Sequence, residues 1–309
     1  MQTIYGLESS IPSGPIVLAL GNFDGVHVGH QRLIHGAIET ARSKGGQSAV
    51  MVFDPHPLQV LAPSKAPKLL TNTLQKAALL EKLGLDFLII TPFSIEIAAW
   101  TPEYFVESIL AETLHVDTVF VGYNYTFGQK ASGNAAMLAE FGQRFGFDVQ
   151  IVQPVKIDHH TVSSSLVRKH YSRGDLESVM RFTGRFPVLE GIVVEGDRRG
   201  RTIGFPTANL MIPGEMALPG GGVYASVLLI DGIWRPAVTN VGTKPTFHEG
   251  HPISIETHVL DYKGDLYGRT LQLKLMHKLR EEMKFAGPDD LVAQIKSDVA
   301  DARSRLSDL

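Results

Sequence analysis

The chain has 309 residues, a length that favours two domains over one. Its composition, 44% hydrophobic and 20% charged with a net charge of −3 at pH 7, is typical of a globular protein. It contains no cysteine, which excludes disulfides, thiolate metal sites and cysteine nucleophiles. Because its basic residues are scattered and it has neither a signal-peptide pattern nor an apolar run of ~20 residues, we expect a cytoplasmic protein without nucleic-acid or membrane partners. Homo-oligomer formation is left open.

Five apolar segments in the first half are typical of buried parallel strands, and helical patterns separate them. These segments begin at Ile16, Ser48, Leu85, Thr118 and Asp148. A spacing of roughly thirty residues indicates repeated βα units. The pattern therefore predicts an α/β fold with a doubly wound, Rossmann-like parallel sheet over about the first 155 residues.

The first of these strands leads into a glycine-rich stretch, Gly21–His30, and then into a helix. Such a crossover lies at the carboxyl edge of a sheet, where open α/β folds bind ligands. Its glycines, Gly21 and Gly29 among them, allow the backbone to approach a ligand, and the helix N-terminus attracts a phosphate.

His27 and His30 are three residues apart, so both can face one phosphate from the first helical turn. Imidazoles there can stabilise charge that develops on phosphorus oxygens or on a leaving pyrophosphate. Two alternatives remain open: solvated histidines in a turn, or a metal site in which Asp24 is a third ligand.

Three later loops carry polar residues at predicted strand ends or before a predicted helix. His56 lies between two prolines in Asp54–Pro57, and Gly122–Gly128 contains aromatic residues and Asn124. The serine run Ser163–Ser165 precedes a helix with Arg168 one turn on, which suits either helix capping or a phosphate clamp.

Beyond residue 183 the pattern changes to short alternating segments separated by turns, which predicts an antiparallel barrel or sandwich. The segments are Val188–Val194, Val223–Ile230, Trp234–Val241, Ile253–Leu260 and Thr270–Met276. A final helix is predicted from Pro288. We therefore expect domains at residues 1–183 and 184–309.

The second half contains two candidate sites. In the run Gly204–Asn209, Thr207 and Asn209 point the same way in extended chain, and neutral oxygens suit Mg²⁺ held mainly by substrate phosphates. The preceding residues, Asp197–Arg201, are typical of a solvated turn. Glu256 shares a strand face with His258 and is either solvent-facing or a general base.

The stretch Gly21–His30 resembles the His-x-Gly-His signature of nucleotidyltransferases, and the run Gly204–Asn209 resembles a more specific motif of riboflavin kinases. In this order, the motifs resemble the bacterial bifunctional riboflavin kinase/FAD synthetases over nearly the whole chain. The other motifs that carry the likeness are residues 53–57, 122–128, 162–168, 240–247, 256–261, 266–268, 279–280 and 284–285.

The resemblance implies that the first domain is an FMN adenylyltransferase, which converts ATP and FMN to FAD and pyrophosphate. His27 and His30 would be catalytic, and His56, Asn124 and Tyr125 would bind flavin. The residues implied for nucleotide or phosphate binding are Gly21, Phe23, Asp24, Gly29, Ser163, Ser164 and Arg168.

For the second domain the resemblance implies a flavokinase on a six-stranded antiparallel barrel with a C-terminal helix. It would convert riboflavin and ATP to FMN and ADP, with Glu256 as the base. Gly204 and Thr207 would bind nucleotide, Phe205 would bind flavin, and Thr207 with Asn209 would hold Mg²⁺.

The chain departs from the family pattern at two places. Ser165 replaces a common threonine and keeps the hydroxyl, and Gly122–Tyr125 differs from the commoner acidic or Phe-bearing forms of that loop. Two other functions stay open: a nucleotidyltransferase for a pantetheine or nicotinamide nucleotide with an accessory β domain, and a non-catalytic flavin sensor. Absence of flavin binding would favour the first, and the pairing of catalytic histidines with Glu256 argues against the second.

Overall fold

In the computed structural model, residues 1–7, 14–196, 199–243 and 253–307 are described. The chain divides into two compact units, Met1–Ser164 and Ser165–Leu309. Two parts of the predicted motifs, Asp197–Arg198 and residues 244–247, lie outside the described residues.

The first unit contains a six-stranded parallel sheet in the order β1-β4-β3-β2-β5-β8. The strands are β1 (Gln2–Tyr5), β2 (Ile16–Leu20), β3 (Gln47–Asp54), β4 (Phe87–Pro92), β5 (Val116–Gly122) and β8 (Asp148–Val152). The predicted parallel sheet is confirmed, and strand β1, which pairs with β4 at the edge of the sheet, was not predicted.

Helices and short strand pairs complete this unit. The helices are α1 (Val28–Ser43), α2 (Pro57–Leu61), α3 (Thr73–Lys82), α4 (Ile95–Ala98), α5 (Pro102–Tyr104), which continues as a π-helix (Phe105–Thr113), and α6 (Ala135–Phe145). The 3-10 turns are Pro63–Lys65 and Gln129–Ala131, and the strand pairs are β6 (Thr126–Phe127) with β7 (Gly133–Asn134) and β9 (Lys156–Ile157) with β10 (His160–Thr161).

Strand β2 is buried along its whole length because both faces of the sheet are covered. Ile16, Leu18 and Leu20 belong to one core cluster, whereas Val17 and Ala19 belong to another. A central parallel strand has no solvated face, so an unbroken apolar segment is required here. This strand delivers the Gly21–His30 loop to the carboxyl edge of the sheet.

The second unit contains a closed antiparallel barrel in the order β11-β12-β15-β14-β13-β16. Its strands are β11 (Val188–Val194), β12 (Ala208–Met211), β13 (Gly222–Ile230), β14 (Ile233–Thr243), β15 (Ile253–Val259) and β16 (Thr270–Arg280). The predicted six-stranded barrel is confirmed, although the sequence pattern alone identified five of these strands.

The helices of this unit are α7 (Ser164–Tyr171), which starts at the last residue of the first unit, α8 (Leu176–Thr183), α9 (Arg199–Thr202) and α10 (Pro288–Arg305). Helix α10 packs on the barrel through Ala302 and Leu306, so the predicted C-terminal helix is confirmed. Arg280 of β16 donates two hydrogen bonds, each 2.8–2.9 Å, to the buried carboxylate of Asp298. In the described part of the chain, no helix has the length and apolarity to cross a membrane.

Inside the barrel, three hydroxyl side chains form one hydrogen-bonded chain. Ser226 contacts Thr239 at 2.8 Å, and Thr239 contacts Thr257 at 2.9 Å. All three side chains are fully buried. Thr239 of β14 lies directly opposite Thr257 of β15, and Ser226 of β13 is its diagonal neighbour, opposite Ala237. The three hydroxyls therefore mark the inward faces of these strands.

Candidate active sites

His27 and His30 form one compact pair at the start of helix α1. His27 is the N-cap, and its Nδ1 accepts the backbone N–H of His30 at 3.2 Å. The rings stack with centroids 3.6 Å apart and planes 17° apart. Since Nδ1 is an acceptor, the neutral His27 ring carries its proton on Nε2, which can donate to a ligand oxygen. His27 is only 6% exposed, so the alternative of a solvated turn histidine is wrong for it.

The glycines of this loop make room for neighbouring side chains. A Cβ at Gly21 would lie 3.2 Å from the buried ring of Phe23, whose edge faces His30, and one at Gly29 would lie 3.1 Å from the His27 ring. At Gly25, where φ is +77°, a Cβ would lie 2.7 Å from Leu70. The loop is therefore packed around its own aromatic rings, which holds the imidazoles in place.

Asp24 holds this loop from within. Its carboxylate accepts the N–H groups of Leu70 at 2.9 Å and of Thr71 at 3.1 Å, and it is 3% exposed. The Asp24 carboxylate is therefore buried and already bonded to the backbone, so in this arrangement it cannot make the predicted phosphate contact. No group of three His, Cys, Asp or Glu side chains suited to a metal occurs in the described ranges, so the metal alternative finds no support.

His56 lies beside this loop because β3 is the neighbour of β2. The side chain caps α2 by accepting the Leu58 N–H on Nδ1 at 3.2 Å, and its Nε2 lies 3.3 Å from the Asn22 amide. With Nδ1 as an acceptor, Nε2 of the neutral ring is the donor, so the oxygen of the Asn22 amide fits best at this contact. The predicted flavin-binding histidine is thus joined to the Gly21–His30 loop.

The two other predicted flavin residues differ in accessibility. Asn124 is exposed after β5, so its amide is available to a ligand. Tyr125 packs on the core and stacks on Phe127 with ring centroids 5.7 Å apart, and burial raises the pKa of its hydroxyl. The ring of Tyr125 therefore supports the loop.

The predicted phosphate clamp is only partly available. Ser164 donates its hydroxyl to the carbonyl oxygen of Asp24 at 2.9 Å, so this proton is already used within the first unit. Ser163 precedes helix α7, and Arg168 lies one turn after Ser164 on that helix; both are half-buried.

In the barrel, strand register brings three polar residues into one row. Glu256 of β15 lies directly opposite Asn209 of β12 on one side and Asn240 of β14 on the other. All three are half-buried, whereas the alternating residues Ala208 and Thr257 are buried. The row therefore lies on the outer face of the barrel, and His258 shares this face with Glu256.

A cavity of about 540 Å³ is lined by Thr257 and Val259, which alternate with Glu256 and His258 on β15. Pro206, Thr207 and Ala208 line one side, and the loop 262–267 lines another. Sequence reasoning included residues 266–268 in a motif but assigned no role to this loop. Its two tyrosines and Lys263 are the available signals, because an aromatic ring and a cation suit a nucleotide.

The segment before Thr207 packs against His258 of β15. His258 shares a hydrogen bond with the carbonyl oxygen of Pro206 at 2.8 Å, and the Phe205 ring meets the His258 ring edge-on at 5.3 Å. Gly204 adopts φ of +89° and is exposed. A Cβ at Gly196 would lie 2.3 Å from the Asn209 amide, so a larger residue at position 196 would displace that amide from its present place.

The fold and these two sites define a chain with a nucleotidyltransferase-type α/β unit and a kinase-type barrel. Residues 11–166 match the family model FAD synthetase, and residues 183–306 match the family model Riboflavin kinase. A crystal structure described as a macrolide-efflux protein from Streptococcus pneumoniae has the same fold, with a TM-score of 0.88 and 30% identity over 97% of this chain and 98% of that chain.

Curated relatives carry both regions in one chain. Bifunctional riboflavin kinase/FMN adenylyltransferase of Escherichia coli K12 is 38% identical over 98% of this chain and 97% of its own length. The protein of the same name from Listeria monocytogenes is 37% identical over 93% and 91%, respectively. The chain belongs to the bifunctional riboflavin kinase/FMN adenylyltransferase family, so the predicted family and the order of the two functional regions are confirmed.

Proposed function

We propose that the two halves of the chain catalyse successive steps on one flavin. The barrel transfers the γ-phosphoryl group of ATP to riboflavin, giving FMN and ADP, and the α/β unit transfers AMP from ATP to FMN, giving FAD and pyrophosphate. We assign the adenylyltransferase to residues 1–183 and the kinase to residues 184–309. The family-model matches, which end at residue 166 and begin at residue 183, support this division.

In adenylyl transfer, a phosphate oxygen of FMN forms a bond to the α-phosphorus of ATP while the bond to the β-phosphate oxygen breaks. Negative charge develops on oxygens around the α-phosphorus and on the leaving pyrophosphate. His27 donates from Nε2, His30 donates beside it, and the N-terminus of α1 adds its partial positive charge. Neither histidine forms a covalent bond.

The remaining residues of this unit position the substrates. Ser163 acts on phosphates, and Asn124 and His56 contact the nucleotide or the flavin. Arg168, on helix α7, is assigned to phosphate binding by its place in the adenylyltransferase motif of residues 162–168. Asp24, Phe23 and Tyr125 act through the shape of the loops that they support. The rings of His27 and His30, stacked at 3.6 Å at a helix N-terminus, are the observation that carries this assignment.

In the kinase reaction, Glu256 accepts the proton of the terminal ribityl hydroxyl as its oxygen attacks the γ-phosphorus of ATP, and ADP leaves. Thr207 and Asn209 offer neutral oxygens that fit Mg²⁺ held mainly by phosphates. When bound, Mg²⁺ neutralises phosphate charge. The placement of Asn209 directly opposite Glu256 supports this assignment, because a phosphate-bound Mg²⁺ held by Asn209 would lie beside the proposed base.

The cavity beside Thr207 suits the nucleotide of the kinase. Its volume lies within the range of roughly 300–1,000 Å³ that is common for small-ligand sites. Gly204, with positive φ and no neighbour within 4 Å of a Cβ, allows close approach of phosphates. Phe205, held by His258, borders the flavin. A cytoplasmic location and the absence of nucleic-acid and membrane partners remain predictions, and homo-oligomer formation remains open.

Chromatography of the products tests both activities on the intact chain. Purified protein with ATP and Mg²⁺ receives riboflavin in one tube and FMN in another. We expect FMN followed by FAD in the first tube and FAD in the second. FMN without FAD would contradict the assignment of the α/β unit, and FAD from added FMN alone would contradict that of the barrel.

A further inference from the structure

Lys76 is a buried cation behind the Gly21–His30 loop. It lies on α3 and is 9% exposed, although lysine is almost never buried to this degree without a specific partner. Its Nζ donates to the carbonyl oxygen of Asn22 at 2.8 Å. Among the described residues this carbonyl is the one hydrogen-bond acceptor of the ammonium group. Burial of a charged group costs free energy, and here the hydrogen bond that offsets this cost is made to the Gly21–His30 loop.

The charges around Lys76 lie on the elements that form this site. Burial lowers the pKa of Lys76, while the carboxylates of Asp24 and Asp54 act in the opposite direction. Asp24 is bound to the backbone at Leu70 and Thr71, and Asp54 accepts the Thr73 hydroxyl at 2.7 Å. Asp24 is thus held by the segment that leads into α3, and Asp54 is held by the first residue of that helix.

The carbonyl that Lys76 holds belongs to the residue that contacts His56. Asn22 follows Gly21 at the end of β2, and its amide reaches Nε2 of His56 at the end of β3. The start of α3 is itself fixed, because Asn72 and Gln75 cap each other's backbone N–H groups. Helix α3 and the segment before it therefore hold the loop at two points, through Lys76 at Asn22 and through Leu70 and Thr71 at Asp24.

We propose that Lys76 is a positioning residue for adenylyl transfer: its ammonium group fixes the Asn22 carbonyl, and through it the Asn22–His56 contact and the loop that presents His27 and His30. This role rests on the adenylyltransferase function proposed above for the first unit. Displacement of a catalytic group by ~1 Å can cost about 10²-fold in rate.

The first test replaces Lys76 with methionine, which keeps the length and removes the charge and the donor. We expect kcat for FAD formation from FMN to fall about 10²-fold, with KM for ATP changed by less than about three-fold. FMN formation by the barrel of the same chain is the internal control and should not change. Lys82→Met, on the exposed side of the same helix, is the matched variant and should retain full activity.

The second test restores the charge chemically. Because the chain has no cysteine, Lys76→Cys treated with 2-bromoethylamine in the unfolded state gains a lysine-like ammonium group at this position alone. After refolding, we expect the alkylated protein to recover FAD formation to within about three-fold of the unmutated chain carried through the same procedure.

Two results would overturn the proposal: Lys76→Met with kcat within about three-fold of the parent, or an alkylated protein that regains thermal stability without regaining FAD formation. In the second case the charge would stabilise the fold without positioning the loop for adenylyl transfer. If the unmutated chain makes no FAD from FMN, the proposed function fails instead, which separates the two ideas.

Discussion

The two proposed sites are held in place by different means. In the α/β unit, buried charged groups, Asp24 and Lys76, tie a loop to distant parts of the chain. In the barrel, strand register alone places Glu256 between Asn209 and Asn240, and neutral hydroxyls lie behind that row. The first site is therefore sensitive to loss of single charges or of loop geometry, and the second to the pairing of strands.

The largest effect is expected for Glu256→Gln, which removes the proposed base while keeping the shape of the side chain. The rate of FMN formation should fall about 10³-fold, within the range for general-base catalysis. FAD formation from added FMN should not change, because the α/β unit does not use this carboxylate. Chromatography of both products at saturating substrate measures the two rates.

Glu190→Gln is the matched control for that experiment. Glu190 lies on β11 of the same barrel and accepts a hydrogen bond from Gln272 at 2.9 Å. Its loss should leave FMN formation within about three-fold of the parent. If Glu190→Gln lowered the rate of FMN formation as much as Glu256→Gln does, the loss would not be specific to Glu256, and Glu256 would then not be the base.

The reverse separation is expected for His30→Ala. Loss of one donor to charge that develops on phosphate should lower FAD formation by about 10²-fold, while FMN formation stays unchanged. His35→Ala, an exposed histidine further along α1, is the control and should be silent. Loss of both activities in His30→Ala would mean that the histidine pair supports folding and not one reaction.

Loop geometry is tested by Gly25→Ala. The added Cβ meets Leu70 at 2.7 Å in a backbone with φ of +77°, so we expect the first unit to lose about 1–3 kcal/mol and FAD formation to fall. Gly146→Ala has φ of +85° but no atom within 4 Å, so it reports backbone strain alone. Urea unfolding of the two variants, followed through the Trp100 signal in a Trp234→Phe background, compares their free energies of unfolding. Equal losses would show that the Leu70 contact is unimportant.

The smallest effect concerns pH and the barrel. Burial lowers the pKa of His277, with Arg305 acting in the same direction and Glu177 against it. The unfolded chain therefore binds this proton at a higher pH than the folded chain, so stability falls as pH drops through about 6.5.

The His277→Gln variant should lose less stability than its parent between about pH 8 and about pH 5.5. Thermal unfolding followed through Trp234, in a Trp100→Phe background, measures this difference. Identical losses in variant and parent would show that His277 does not contribute to the pH dependence.

Much of the fold follows from local pattern. Strand β2 is unbroken and apolar because it is central, and Asp175 and Gly184 bound α8 as N-cap and left-handed C-cap. The alternation that placed Glu256 on the face opposite Thr257 also holds. Strand β12 was missed because four residues are too few to establish a period.

The buried long-range hydrogen bonds of the first unit could not be predicted from the sequence. Asp24 pairs with backbone 46 and 47 residues away, and Lys76 reaches across 54 residues to Asn22. Nothing in the residues near Asp24 distinguishes an exposed phosphate ligand from a buried loop anchor. The sequence therefore identifies which residue types are present at the site but not which of them face the substrate.

The hydroxyl chain inside the barrel has one further consequence. A slip of β15 by one residue would turn Thr257 outward and carry Glu256 into the barrel, because side chains alternate along a strand. Such a slip would break the hydrogen bond between Thr239 and Thr257 and bury a carboxylate without compensation. The three hydroxyls thus stabilise the observed register of β15. In this way the hydrogen bonds inside the barrel determine which residues lie on its outer face.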